Sequence, residues 1–147
     1  MGRIVSLEDA FAYYINRTYR MLRVDFIHIT REAGHELTPE QYFVLNKLYH
    51  RPGQSQSDLS AELNDRANMK RGLDVLEKAG LVERRSDDRD RRKNRVFLTA
   101  QGLHVVQSLN PAIEKARRRI YAGLNDKDMS AMRRILDIIE TNLGREI

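Results

Sequence analysis

Apolar residues recur at intervals of three and four along most of the chain, and they alternate with polar ones only over a short region around residues 81–99. The first helical stripe, Leu7, Phe11, Tyr14, Ile15, Leu22, Phe26 and Ile29, lies along one side of a helix from about Leu7 to Ala33. At about 1.5 Å per residue that helix is about 40 Å long, more than a compact core of this size needs. Shorter stripes follow. Tyr42, Leu45 and Leu48 predict a helix after Thr38; Leu59 and Leu63 predict a short one over Gln56–Leu63; Met69, Leu73 and Leu76 predict another over about Arg66–Ala79. Near the C-terminus a helix is expected from about Ala100 to Gly123, bent or interrupted at Pro111, where the ring removes a backbone donor. A last helix, about Asp126–Leu143, carries Met129, Met132, Ile135, Leu136, Ile139 and Leu143 at helical spacing.

Capping residues punctuate this pattern. Ser6 with Asp9, Thr38 with Gln41, Ser55 with Asp58 and Asn125 with Asp128 each place a capping oxygen three residues before an acid or amide. Pro39 stands at a first helical position, and Asp65 is placed to cap the helix that carries Met69. Gly34, the pair Pro52 and Gly53, and Gly80 are the matching stops.

After Gly80 the period changes. The runs LVERR and RVFLT bracket RSDDRDRRKNR, Arg85 to Arg95, in which nine of eleven residues are charged, six of them basic. Helix, short helix, helix and then a two-stranded ribbon is the order of a winged helix-turn-helix, whose second motif helix enters the major groove. The expected fold is therefore mainly α with a small β-ribbon: a winged helix-turn-helix over 38–99, flanked by helices over 1–37 and 100–147. Those end helices carry surplus apolar surface, which helices of this kind bury against a second copy, so they are expected to be dimerisation helices.

The residues divide accordingly. Arg66, Asn68, Lys70 and Arg71 project away from the Met69, Leu73, Leu76 stripe and offer an amide suited to adenine and cations suited to guanine or phosphate. The charged loop read by itself is a solvated segment with internal ion pairs. Beside a groove-bound helix it is read instead as a finger reaching the minor groove or its phosphates through arginine. Asp90, two residues before Arg92, is expected to orient that guanidinium through a bidentate pair.

Composition narrows the remaining classes. The chain has 147 residues, a formal charge of +5 and a pI near 9.7, which favour a polyanionic partner, although no segment is a basic tail. Without cysteine, disulfides, thiolate metal sites and thiol redox sensing are excluded. The four histidines, His28, His35, His50 and His104, are dispersed and form no ligand motif, so neither a metal nor another cofactor is expected. No phosphate-binding glycine loop and no acid pair tied to a histidine is present, so catalysis has no support. The N-terminus MGRIVSLEDAF lacks an apolar signal core and no apolar run is long enough for a membrane span, so a cytoplasmic location is the expectation. The cluster Lys115, Arg117, Arg118, Arg119 is read as a solvated face of a dimerisation helix.

Taken in series, LTPEQYFVLNKL, QSQSDLSAELN, DRANMKRGLDVLEKAGLVERR and DDRDRRKNRVFLTAQG, followed by the two C-terminal helices, resemble the multiple antibiotic resistance regulators, the MarR family. The resemblance covers nearly the whole length and implies a single MarR-like domain that binds a pseudo-palindromic operator as a homodimer with intertwined end helices. By position it implies that Asn68, Lys70 and Arg71 face the groove, that Asp90 and Arg92 form an Asp-x-Arg wing whose arginine enters the minor groove, and that Arg89 and Arg91 contact the backbone. It also implies a small aromatic or phenolic effector between the dimer helices and the winged lobe, for which Tyr13, Tyr14 and Tyr19 are candidates, although aromatic residues at such spacing also serve as core. Two departures stand out: Gly72 falls where the family usually has a bulky aliphatic residue, and Ala67 and Asn68 replace a common Ser-Thr pair. The expected function is a sequence-specific transcriptional regulator, most simply a repressor, because a dimer covering a promoter blocks polymerase. Two alternatives are a winged-helix module that binds an acidic protein surface and a metal-responsive regulator.

Overall fold

The computed structural model describes residues 1–145. A short 3-10 turn, Leu7–Asp9, precedes α1 (Phe11–Glu32) and α2 (Pro39–His50); β1 (Gln54–Ser55) leads into α3 (Gln56–Glu62) and α4 (Met69–Lys78). Strands β2 (Val82–Ser86) and β3 (Asn94–Leu98) follow, then α5 (Ala100–Ile120) and α6 (Asp126–Asn142). The chain divides into two compact units, Met1–Ile113 and Glu114–Ile147.

Three of the four anticipated capping boxes form. Thr38, Ser55 and Asn125 accept from the backbone N–H of Gln41, Asp58 and Asp128, whose side chains accept from the cap N–H in return. The fourth, at Ser6, does not start an α-helix. Its hydroxyl donates to the Asp9 carboxylate at 3.2 Å, so it caps no backbone donor, and after one 3-10 turn Ala10 returns to extended geometry. The first helix therefore begins at Phe11 and not at Leu7.

The helix expected from Arg66 begins at Met69. Asp65 does accept from the Asn68 backbone N–H, at 3.3 Å, but Arg66, Ala67 and Asn68 form a turn, with Asn68 at φ −109° and ψ −8°. The ribbon is a three-stranded antiparallel sheet in the order β1, β3, β2: Gln54 and Ser55 pair with Val96 and Arg95. Two residues are too few to show an alternating pattern, so this strand was invisible to periodicity. Helix α5 runs unbroken through Pro111, because a proline forfeits its own donor without forbidding helical φ, and it ends at Ile120, short of Gly123.

The core of the first unit joins the anticipated stripes of α2, α3 and α4 to residues of the ribbon and of α5. Leu45, Leu48, Leu59, Leu73, Leu76, Val82, Val96 and Leu109 are almost wholly removed from solvent, with Tyr42 and Leu63 packed against them. Each such leucine stabilises the fold by about 2–5 kcal/mol relative to alanine. Where the ribbon joins α5, packing leaves no room for a side chain: a Cβ on Gly102 would stand 2.0 Å from the Leu81 carbonyl oxygen. Thr99 closes this junction, its hydroxyl donating to the Gly80 carbonyl at 2.6 Å and accepting from the Gly102 N–H at 3.0 Å. Gly80 makes the turn from α4 into β2 at φ +74°, a conformation L-residues rarely adopt.

The terminal stripes behave differently. In α1 only Thr30 is buried, and Phe11 and Ile15 lie in solvent; α6 buries no residue within the single chain.

Candidate nucleic-acid interface

Helix α4 presents two faces of opposite chemistry. Met69, Leu73 and Leu76 enter the core, while Lys70 and Arg71, with Arg66 and Asn68 on the preceding turn, are exposed. The turn is internally bonded: Asp65 Oδ1 accepts from Asn68 Nδ2 at 3.2 Å, and Arg71 Nη2 donates to Asn68 Oδ1 at 3.2 Å.

The charged loop is ordered by its acids. Asp87 Oδ1 accepts from the Arg89 backbone N–H at 2.9 Å, and Asp90 Oδ1 accepts from that of Arg92 at 3.0 Å. Backbone bonds from Asp87 to the Lys93 carbonyl and from Lys93 to the Asp90 carbonyl, both at 2.9 Å, close the loop. Asp90 thus meets Arg92 through its amide and not through the bidentate side-chain pair anticipated, because a carboxylate two residues upstream is ideally placed for an Asx turn. The Arg89 N–H, together with Arg95, whose Nε lies 3.1 Å from Asp87 Oδ2, holds the Asp87 carboxyl below its ordinary range. Folding the loop this way leaves Arg89, Arg91 and Arg92 exposed. Arg85 and Arg95 serve the scaffold instead: the Arg85 guanidinium lies 4.4 Å from the centre of the Phe97 ring, and Arg95 donates to the Gly53 carbonyl at 3.2 Å.

A link between helix and wing was not singled out from sequence. Arg84 of β2 reaches across to α4, with Nη2 2.8 Å from Asp74 Oδ1 and 3.4 Å from the Lys70 carbonyl. Its position was encoded: Arg84 shares a strand face with buried Val82 and pairs with buried Val96, so alternation turns it inward. The wing also meets α3 and the turn before α4 at a polar cavity of about 470 Å³, where Arg92 and Lys93 join Arg66 and Ser57 and Ser60 of α3. Hydroxyl and cationic side chains lining one hollow suit a phosphate.

A second cavity, of about 600 Å³, lies among α1, α2 and α4, lined by Tyr19, Arg23, Glu40, Phe43, Val44, Asn68, Gly72 and Val75 among others. A Cβ on Gly72 would meet nothing within 4 Å, so the missing side chain helps keep this space open. Glu40 receives hydrogen bonds from the Tyr19 hydroxyl and the Arg23 guanidinium. Burial pushes the Glu40 carboxyl up, but Tyr19, backbone N–H and Arg23 outweigh it and leave the group below its ordinary range; the same burial, with Glu40, raises the Tyr19 phenol. Of the three candidate tyrosines only Tyr19 lines this cavity. Tyr13 and Tyr14 stack edge to face, centroids 5.4 Å apart, each with the Arg17 guanidinium over its ring. Among the described residues no group of three or more His, Cys, Asp or Glu side chains is placed to hold a metal ion, and no helix is long and apolar enough to cross a membrane.

The sequence profile of the MarR family matches residues 37–93, from just before α2 into the charged loop. Solved structures extend the likeness. The transcriptional repressor CouR, bound to a 23-mer DNA duplex, shares 26% identity with a TM-score of 0.80, covering 95% of this chain and 99% of CouR. Residues 37–93 of the chain match the MarR family. A MarR-family regulator from Silicibacter pomeroyi is 25% identical with a TM-score of 0.76, over 99% of this chain and 100% of its own. The PcaV regulator of Streptomyces coelicolor, in complex with its natural ligand, has a TM-score of 0.81 over 95% and 98% of the two chains; at 22% identity it bears on the fold alone. MarR-family members are transcriptional regulators and not enzymes, and this chain has the family's winged-helix fold with its flanking helices.

Proposed function

We propose that this MarR-family DNA-binding regulator is a homodimeric repressor of a pseudo-palindromic operator, released by a small aromatic or phenolic ligand. The observation that carries the reading is the pairing of two cationic elements: the exposed Asn68, Lys70, Arg71 corner of α4 and the Arg89, Arg91, Arg92 loop, linked through Arg84 and meeting at the cavity lined by Arg66 and Arg92. The helix corner enters the major groove, Arg92 reaches the minor groove, and Arg89 and Arg91 neutralise phosphates. CouR on its duplex supports DNA as the partner. Apolar exposure supports the dimer: Phe11 at 78% and Val24 at 70% on α1, with Ile135 and Ile138 on α6, are surfaces a second copy would cover.

The 600 Å³ cavity supports the ligand. Asn68 and Gly72 of the groove-facing segment form part of its wall, so an occupant that fits the cavity in only one arrangement of that segment shifts DNA affinity through that difference alone. Titrating a labelled operator duplex over a range of salt concentrations tests the DNA reading. The expected plot of log affinity against log salt is steeply negative, and Arg92→Ala weakens binding to every sequence and flattens the slope by about one ion. A slope near zero, or indifference to competing duplex, contradicts it.

A further inference from the structure

The Asn68 amide sits in a chain of hydrogen bonds that runs one way only. Asp65 Oδ1 accepts both from the Asn68 backbone N–H, at 3.3 Å, and from its Nδ2, at 3.2 Å, while Arg71 Nη2 donates to Asn68 Oδ1 at 3.2 Å. A carboxylate can only accept and a guanidinium can only donate. Flipping the amide would set oxygen against carboxylate and NH₂ against guanidinium, so both partners tolerate a single orientation. We infer that Asp65 is a positioning residue for base recognition, fixing the order in which Asn68 offers its donor and its acceptor to the major groove. The inference rests on α4 being the groove-entering helix.

The lock leaves the reader usable. Nδ2 keeps its second hydrogen and Oδ1 its second lone pair, and this adjacent donor and acceptor complement N7 and the N6 amino group of adenine. Asp65 is half-buried and Asn68 exposed, so the carboxylate supports the amide and does not replace it at the surface. A capping role alone requires just the bond to the Asn68 backbone N–H. Elsewhere in this chain a serine does that work: the Ser55 hydroxyl accepts from the Asp58 N–H at 3.0 Å. Asp65→Ser therefore keeps a capping oxygen while withdrawing the longer carboxylate that reaches Nδ2, and it separates the two roles.

The test selects bound fragments from a random duplex library with the full chain, Asp65→Ser, Asn68→Ala and the double variant, followed by competition titrations of single-base variants. The wild-type chain is expected to prefer adenine at one position per half-site by roughly 5- to 150-fold, the range for a good bidentate base contact. Asp65→Ser should bring that preference to within about twofold of Asn68→Ala, leave the ranking at other positions in place, and add nothing in the Asn68→Ala background, as expected of residues acting as one unit. Equal loss at every position with a lowered melting temperature makes Asp65 a cap and overturns the inference, as does an unchanged preference in Asp65→Ser. A wild-type chain that binds duplex without preference at any position overturns it together with the role of Asn68. Failure to bind duplex at all instead removes the groove reading on which both depend.

Discussion

Replacing Arg84 with methionine separates the stability of the winged unit from its capacity to engage DNA. The Arg84 side chain is 18% exposed and its Asp74 partner 52% exposed, with Nη2 and Oδ1 2.8 Å apart. A fully buried pair broken on one side costs about 3–5 kcal/mol. With Asp74 half in water, screening reduces this to about 1 kcal/mol. The contact with the Lys70 carbonyl, at 3.4 Å, is long and adds little. Against that loss, Arg84 Nε is buried without a hydrogen-bond partner among the described residues, and methionine removes this desolvation penalty of about 1 kcal/mol or more while retaining the aliphatic packing. The net change in unfolding free energy is therefore expected to stay within about 1 kcal/mol of zero.

The cost should fall on binding. Without Arg84 the wing and α4 lose the link that holds their spacing, and affinity for operator duplex is expected to drop about tenfold, equivalent to about 1.4 kcal/mol. Urea unfolding followed by circular dichroism, run beside fluorescence-anisotropy titration of the duplex, measures both quantities, and Asp74→Ala completes a double-mutant cycle. Destabilisation by about 3 kcal/mol with undiminished affinity of the remaining folded protein would refute the reasoning, since the pair would then support the fold and not the spacing of the two elements proposed to contact DNA.

Three further outcomes follow from the same geometry. Gly72→Ala adds a methyl that meets nothing within 4 Å and removes a mid-helix glycine, so it should raise stability by about 1 kcal/mol, read as a higher melting temperature. Gly102→Ala should do the opposite, by about 1–3 kcal/mol or more, because its Cβ would fall 2.0 Å from the Leu81 carbonyl oxygen and force the ribbon off α5. The depressed Glu40 carboxyl contributes stability that is fully present above the ordinary carboxylate pKa and is lost as pH falls through the lower folded value. Glu40→Gln should therefore flatten the acid limb of the stability profile and leave the shape of the curve between pH 6 and 8 as it was.

Much of this architecture was legible before any coordinates. The stripes in α2, α3 and α4 became the core, and three capping boxes fell where a hydroxyl or amide preceded its partner by three residues. Local chemistry failed in places where another partner was nearer. Ser6 met a carboxylate before a backbone donor, and Asp90 met the Arg92 amide before its guanidinium. Strand β1 exists because β3 offers it an edge, a fact absent from its own two residues. Long-range pairs were hidden for the same reason: nothing near Glu40 announces Arg23 or Tyr19, and the Asp74 partner lies a strand away. Arg84 is the instructive exception, since its inward face followed from alternation with Val82.

Two copies holding paired helices and wings at the pitch of B-DNA is the claim on which the functional reading stands. Native mass spectrometry of the complex with a selected duplex, combined with hydroxyl-radical footprinting, tests it most directly. Two chains per duplex and two protected half-sites centred about 10 base pairs apart, or a multiple of that spacing, are expected. One chain per duplex, or protection unrelated to the helical repeat, would contradict it.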